Sequence, residues 1–166
     1  MLIRETAATA GVADSGNGLS ASWADFDSDG WLDLFVANGH VNYERLDSPY
    51  RQPAQLFRNQ AGKRFVDVTD QGGPYFSIDH VGRGAAVGDL DNDGDTDVVI
   101  SNNAGPARVL ENRVGSRNPW LGLRMLTGDP GRDAIGARVA LDGKPPLWRR
   151  VRTDGSYASA SDARIL

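Results

Sequence analysis

The sequence predicts an all-β fold built from a repeated unit of short strands, on three observations. The chain holds 20 Gly and 8 Pro among few long apolar periods, so tight turns punctuate it and helix-forming composition is thin. The stretch ADFDSDGWLDLFVAN at 24–38 matches GDLDNDGDTDVVISN at 88–102 without a gap, offset by 64 residues. Around each copy the same order of short strand-like segments recurs, at a spacing of roughly 40–65 residues, which is the pattern of propeller blades.

Each element follows from this alignment. A short strand enters each acidic loop, SASWA at 20–24 and GAAV at 84–87. An apolar strand leaves it, LDLFVAN at 32–38 and TDVVISN at 96–102. In these outgoing strands Leu32, Leu34 and Val36 alternate with Phe35 and Ala37, and Val98 and Ile100 with Val99. Both faces are apolar, so both should be covered. A third strand follows in each copy, QLFRN at 55–59 and RVLEN at 108–112, with Asn59 and Asn112 equivalent. A fourth, RFVDVT at 64–69, closes the first copy. Its counterpart LIRETA at 2–7 aligns Thr6 with Thr69, so the chain should open in the last strand of a preceding unit. Residues 39–54 are polar and aperiodic, which predicts a surface loop. After Asn112 the pattern changes: PWLGLRML at 119–126, IGARVAL at 135–141 and the stretch from Leu147 to Ala160 are strand-like, marking a different small β-module. The expected architecture is therefore a partial β-propeller, with two four-stranded blades plus the last strand of a preceding one, followed by that module. The boundaries are 1–17, 18–78, 79–116 and 117–166.

Charge narrows the function. The formal net charge of -4 argues against nucleic acid as a partner, and no segment approaches the ~20 apolar residues of a membrane span. There is no cysteine, which excludes disulfides and thiolate metal sites. The N-terminal stretch lacks the apolar core of a signal peptide, so an export signal would lie upstream. Of the 22 acidic residues, nine fall inside 25–33 and 89–97, so the negative charge is placed rather than spread.

Those two windows are candidate calcium loops. Counting from Asp25, carboxylates stand at positions one, three, five and nine: Asp25, Asp27, Asp29 and Asp33, with the Trp31 carbonyl available at position seven. The second loop has Asp89, Asp91, Asp93 and Asp97, with the Asp95 carbonyl. Hard oxygens at alternate positions around a glycine turn suit calcium, which takes about 6–8 oxygens at about 2.3–2.6 Å. Two ions are expected. An EF-hand would need a bidentate Glu at position twelve, where Val36 and Ile100 stand, and a following helix. The plainer alternative is that Asp and Gly simply make tight turns.

Nothing in the sequence points to catalysis. His40 and His80 lie in expected loops away from the acidic motifs, and no serine sits in a nucleophile-elbow context. Alternate aspartates on one loop are too alike in environment to be tuned apart as acid and base. Trp31, Trp120 and Trp148 read as packing residues, with sugar stacking as the sharper alternative. Arg149, Arg150 and Arg152 read as a solvated strand face, or as a contact for phosphate or sulfated glycan, with Arg150 and Arg152 on one side of the strand.

The two acidic blocks, each followed by an L-F-x-N-type strand, resemble FG-GAP/VCBS repeats of the integrin α-chain propeller type. The segment GRDAIGARVALDG to its end at SDARIL, 131–166, resembles the ASPIC/UnbV module that follows such repeats in the cartilage acidic protein family. The resemblance implies calcium ligands at Asp25, Asp27, Asp29, Asp33, Asp89, Asp91, Asp93 and Asp97, with carbonyls from Trp31 and Asp95. Such propellers hold about seven blades, so the rest of the propeller is expected outside this chain, and a fragment cut at both ends is implied. Gly131 stands where that module commonly has Asn, and its closing Phe-Gly-Leu-Gly-like strand is not reached. The expected function is non-enzymatic, extracellular, periplasmic or cell-surface adhesion, or binding of a protein or glycan. The alternative is an accessory region of a larger secreted enzyme.

Overall fold

The computed structural model describes residues 3–13, 16–42, 44, 48–143 and 146–166. Among them the strands form four antiparallel sheets, none closed on itself. The first is a meander of β1 (Gly18–Ala24), β2 (Asp33–Asn38), β3 (Gln55–Asn59) and β4 (Phe65–Asp67), paired in that order. The second repeats the design with β5 (Gly82–Gly88), β6 (Asp97–Asn102) and β7 (Arg108–Leu110). Two small hairpins follow, β8 (Leu126–Thr127) with β9 (Arg132–Asp133), and β10 (Arg138–Leu141) with β11 (Leu147–Arg150). No described helix is long and apolar enough to cross a membrane.

The repeat in sequence is a repeat in register. Ala24 pairs with Asp33 and Trp23 with Leu34, as Gly88 pairs with Asp97 and Val87 with Val98. Leu34 then faces Phe57, and Val98 faces Leu110. β2 is covered on both faces, with Phe35 and Ala37 buried on one and Leu34 on the other, whereas β6 buries Val98 and Ile100 on one face and leaves Val99 half-buried and Ser101 exposed on the other. Burying each large side chain contributes about 1.5–3 kcal/mol. Phe35, Ala37, Ala54, Phe76, Ala85, Val98 and Ile100 form one core shared by both sheets.

The incoming strands show how two sheets meet. β1 buries Ser20, Ser22 and Ala24 while its alternate residues stay outside. These side chains are small, so β5 comes close enough for the Ser22 hydroxyl to donate to the Ala85 carbonyl at 2.9 Å, and that of Ser20 to the Arg83 carbonyl. A bulky residue on this face would separate the sheets.

Several expectations are corrected. The second sheet has three strands, not four, because the chain after Leu110 turns away through a single 3-10 turn at Gly115–Arg117 to cover the acidic loops. In the first segment no strand forms among the described residues: residues 3–6 are unpaired, Ala7–Ala10 forms one helical turn, and Leu2 lies outside the described residues. Of PWLGLRML only Leu123, bridged to Ile165, and Leu126 are paired, and the stretch from Leu147 to Ala160 is a strand only to Arg150. The 39–54 segment is not wholly a surface loop. His40, Gln52 and Ala54 are buried, and Gln52 bridges His80, although Tyr43 and Arg45–Asp47 lie outside the described residues. A second, smaller core of Val151, Ala163 and Ile165 supports the C-terminal module.

Candidate metal centre

Each acidic loop joins two strands that are already paired, β1 to β2 and β5 to β6, so its ends are held together at fixed separation. Within the first loop the Asp25 carboxylate accepts the amides of Asp29 at 3.0 Å and Gly30 at 2.9 Å, and Asp29 accepts that of Trp31 at 2.8 Å. The second loop repeats this with Asp89 and Asp91 accepting the Asp93 amide, and Asp93 accepting that of Asp95. Gly30 and Gly94 turn the chain at φ 96° and 93°, a left-handed conformation that glycine adopts without a Cβ clash.

Position nine closes the loop as a backbone brace. Asp33 accepts the Phe26 amide at 3.0 Å with one oxygen and the Asn59 amide at 2.8 Å with the other. Asp97 does the same with Leu90 and Asn112, both at 2.8 Å. The repeated asparagines thus gain a role the sequence did not disclose. Each also donates its side-chain amide to the carbonyl of position eight, Leu32 or Thr96. Asn112 further donates to the Phe26 carbonyl at 2.7 Å, linking the two loops.

Three carboxylates in each loop bring an oxygen within 4.8 Å of one another: Asp25, Asp27 and Asp29 in the first, Asp89, Asp91 and Asp97 in the second. Asp33 and Asp93 stand outside these trios. Burial pushes the Asp25 and Asp27 carboxyls up from the ordinary range, against which Arg149 pulls Asp25 back down, and it drives Asp33 up to about 7 despite the Asn59 and Phe26 amides. Asp27 Oδ1 is buried and has no hydrogen-bond partner. A partnerless buried oxygen beside two further carboxylates is a place where a hard cation fits, and the all-oxygen donor set matches calcium or magnesium rather than a transition metal.

Trp31 and Asp95, expected to offer carbonyls, also have side-chain work. The Trp31 indole lies against Gly62, and the Asp95 carboxylate is buried, accepting the Ser116 amide at 3.2 Å. Neither histidine approaches the loops: the Asn42 amide donates to His40, and His80 stacks on Tyr75 at 4.3 Å.

The sequence reading missed the grip of the C-terminal module on both loops. Arg149 leaves the solvated face expected of it and donates to Asp25 Oδ2 at 3.0 Å and to the Gly30 carbonyl at 3.2 Å. Arg164 binds Asn92 Oδ1 at 2.8 Å and the Asp89 carbonyl, and its guanidinium also pairs with Asp162 at 2.6 Å. Burial works against Asp162 ionising, but the Arg164 amide and guanidinium outweigh it and hold the carboxyl below its usual range. Separations of 124 and 75 residues hide these contacts from local pattern.

No curated protein matches the chain. The family model of the FG-GAP-like repeat matches residues 37–122, from within β2 through the second acidic loop to the start of the C-terminal module. That span is just over half of the sequence, and the ungapped copy at 24–38 extends the same motif ahead of it. Two meander sheets joined by a shared core fit the propeller-like fold of such repeats, and the chain belongs to the FG-GAP-like repeat family.

Proposed function

We propose that the chain is a calcium-carrying, non-enzymatic segment of a β-propeller that serves adhesion, or the binding of a protein or glycan, outside the cytoplasm. We further propose that residues 117–166 form an ASPIC/UnbV-like module of the cartilage acidic protein type. One observation carries the calcium reading: two equivalent loops each gather three carboxylates within 4.8 Å, and in the first a buried Asp27 oxygen has no partner. Calcium would supply the positive charge that lets these carboxylates stay ionised side by side. Asp25, Asp27 and Asp29 would hold one ion, and Asp89, Asp91 and Asp97 the other. Asp33 would act from behind, fixing the loop's exit to β3. A site of the weak class, with an affinity around 10⁻⁴–10⁻³ M, would fill only where calcium is millimolar, outside the cytoplasm.

The carboxylates of each loop are alike and share one turn, and neither histidine stands near them, which supports a binding role over a catalytic one. Calorimetry tests the reading. At a hundredfold excess over Kd, each ion should add about 2.7 kcal/mol, or about 5–10 °C in Tm for a domain of this size. Chelator should reverse the shift, and Asp27→Ala with Asp91→Ala should abolish it. A Tm indifferent to calcium in the native chain would end the proposal.

A further inference from the structure

The hairpin of β10 and β11 has two unlike faces. Leu147, Arg149 and Val151 turn inward, Arg149 onto the first acidic loop and Val151 into the small core. Trp148, Arg150 and Arg152 turn outward and are exposed, with Trp148 60% accessible. The register sets Arg138 directly opposite Arg150, and Ala140 opposite Trp148. Like charges directly opposite on a two-stranded sheet repel and destabilise it. Among the described residues no carboxylate pairs with Arg138, Arg150 or Arg152, whereas Arg149 and Arg164 beside them are both engaged. Trp148 and these five arginines line one groove of about 610 Å³ between the hairpin and the two sheets.

We propose that this face is a binding site for a short acidic saccharide, carrying sulfate or carboxylate groups. The inference rests on the reading of the chain as a binding module. It names the ligand class, and the side chains it uses, Arg138, Trp148, Arg150 and Arg152, are not among the carboxylates of the metal loops, although Asp25 and Asp89 border the same groove. Guanidinium forks bind sulfate and carboxylate through paired hydrogen bonds, so an anion seated between Arg138 and Arg150 turns their mutual repulsion into shared attraction. The flat Trp148 indole on the same face offers an apolar surface to the C–H face of a sugar ring, and the small Ala140 opposite it raises nothing to block approach. The other two arginines of the groove, Arg149 and Arg164, are already paired with Asp25 and Asp162, which leaves Arg138, Arg150 and Arg152 free for an anion. Asp25, Asp89, Asp154 and Asp162 also line it, so one or two anionic rings match it better than an extended phosphate backbone.

The test is titration calorimetry of the whole chain with a sulfated tetrasaccharide, its desulfated form and a single-stranded oligonucleotide of similar charge, each in calcium and in chelator. The sulfated form should bind and quench tryptophan emission, and the desulfated form should bind about tenfold more weakly or worse, as expected when paired guanidinium contacts are lost. Arg138→Ala and Arg150→Ala should each weaken binding about tenfold, Trp148→Ala should weaken it and remove the quench, and Arg132→Ala, an exposed arginine outside the groove, should leave it unchanged. Absence of binding, equal loss in Arg132→Ala, or equal affinity for the oligonucleotide would each overturn the site. A calcium-dependent Tm without saccharide binding rejects this site alone. Saccharide binding with no calcium response rejects the metal loops alone.

Discussion

Asp33 shows how much of the repeat rests on one side chain. Its two oxygens receive one amide from the start of the loop and one from the end of β3, so it fastens the loop to two neighbouring strands. Leaving a buried amide without an acceptor costs about 1–3 kcal/mol. Asp33→Ala, measured by urea denaturation in excess chelator so that no ion contributes, should therefore lose about 2–4 kcal/mol. Asp33→Asn, which keeps one acceptor oxygen, should lose about half as much. Equal losses would show that charge rather than the brace is at stake. His80 makes a different residue-scale prediction. Burial first, then the Arg108 guanidinium, lower its pKa, with Arg51 acting the same way and the Tyr75 backbone and the neighbouring Asp79 opposing. It stacks on the Tyr75 ring, whose hydroxyl burial pushes up to about 12, so Tyr75 stays neutral throughout. A depressed histidine pKa means that the unfolded chain binds the proton more readily. The stability it permits is present above the unfolded pKa of about 6.5 and declines as pH falls below it. His80→Gln should flatten the slope of stability between pH 5 and 7, and an unaltered slope would assign it to the carboxylates.

At the scale of elements, the turns separate strain from packing. Gly30 and Gly94 hold the same place in the two loops with nearly the same left-handed φ, 96° and 93°, but a Cβ at Gly30 meets only the Leu147 methyls at 3.8 Å whereas one at Gly94 overlaps the Trp120 indole. Gly30→Ala should cost about 1 kcal/mol of backbone strain. Gly94→Ala should cost at least about twice that and shift Trp120 emission, because the ring must leave its seat on the loop. Equal costs would mean that Trp120 yields freely. The strands themselves were legible. β2, β3 and β6 fall within a residue of where the apolar runs placed them, because their spacing and composition are local signals. The fourth strand of the second sheet was not, because Val114–Asn118 carries a turn whose purpose is non-local: the Ser116 amide meets the buried Asp95 carboxylate, and Asn118 donates to the Asp27 carbonyl at 2.9 Å. Of the candidate site, the aspartates could be read from spacing alone. The division into cluster members and a brace could not, since Asn59 and Asn112 reach position nine from another strand.

At the scale of the whole molecule, the C-terminal module acts on the two repeat sheets through the same carboxylates that would hold the ions. The Arg149–Asp25 pair is mostly buried, its side chains 16% and 12% accessible, and it joins the hairpin to the first loop across 124 residues. Such a contact has two opposed consequences. In chelator the guanidinium neutralises part of a crowded acidic loop and anchors the module. In calcium the same positive charge lies beside the ion and repels it, while using an oxygen of Asp25. Arg149→Met keeps much of the apolar stem and removes the charge. In chelator it should lower stability by about 1–3 kcal/mol, between the range of an exposed pair and that of a buried one broken on one side. Its calcium affinity should nevertheless rise, by up to about tenfold for removal of a cation at this separation. Titration calorimetry with calcium reads the affinity, and urea denaturation with and without the ion reads the two stabilities, so the deficit seen in chelator should shrink as calcium is added. A deficit that stays the same in both conditions, with unchanged affinity, would show that Arg149 anchors the module without sensing the loop's charge.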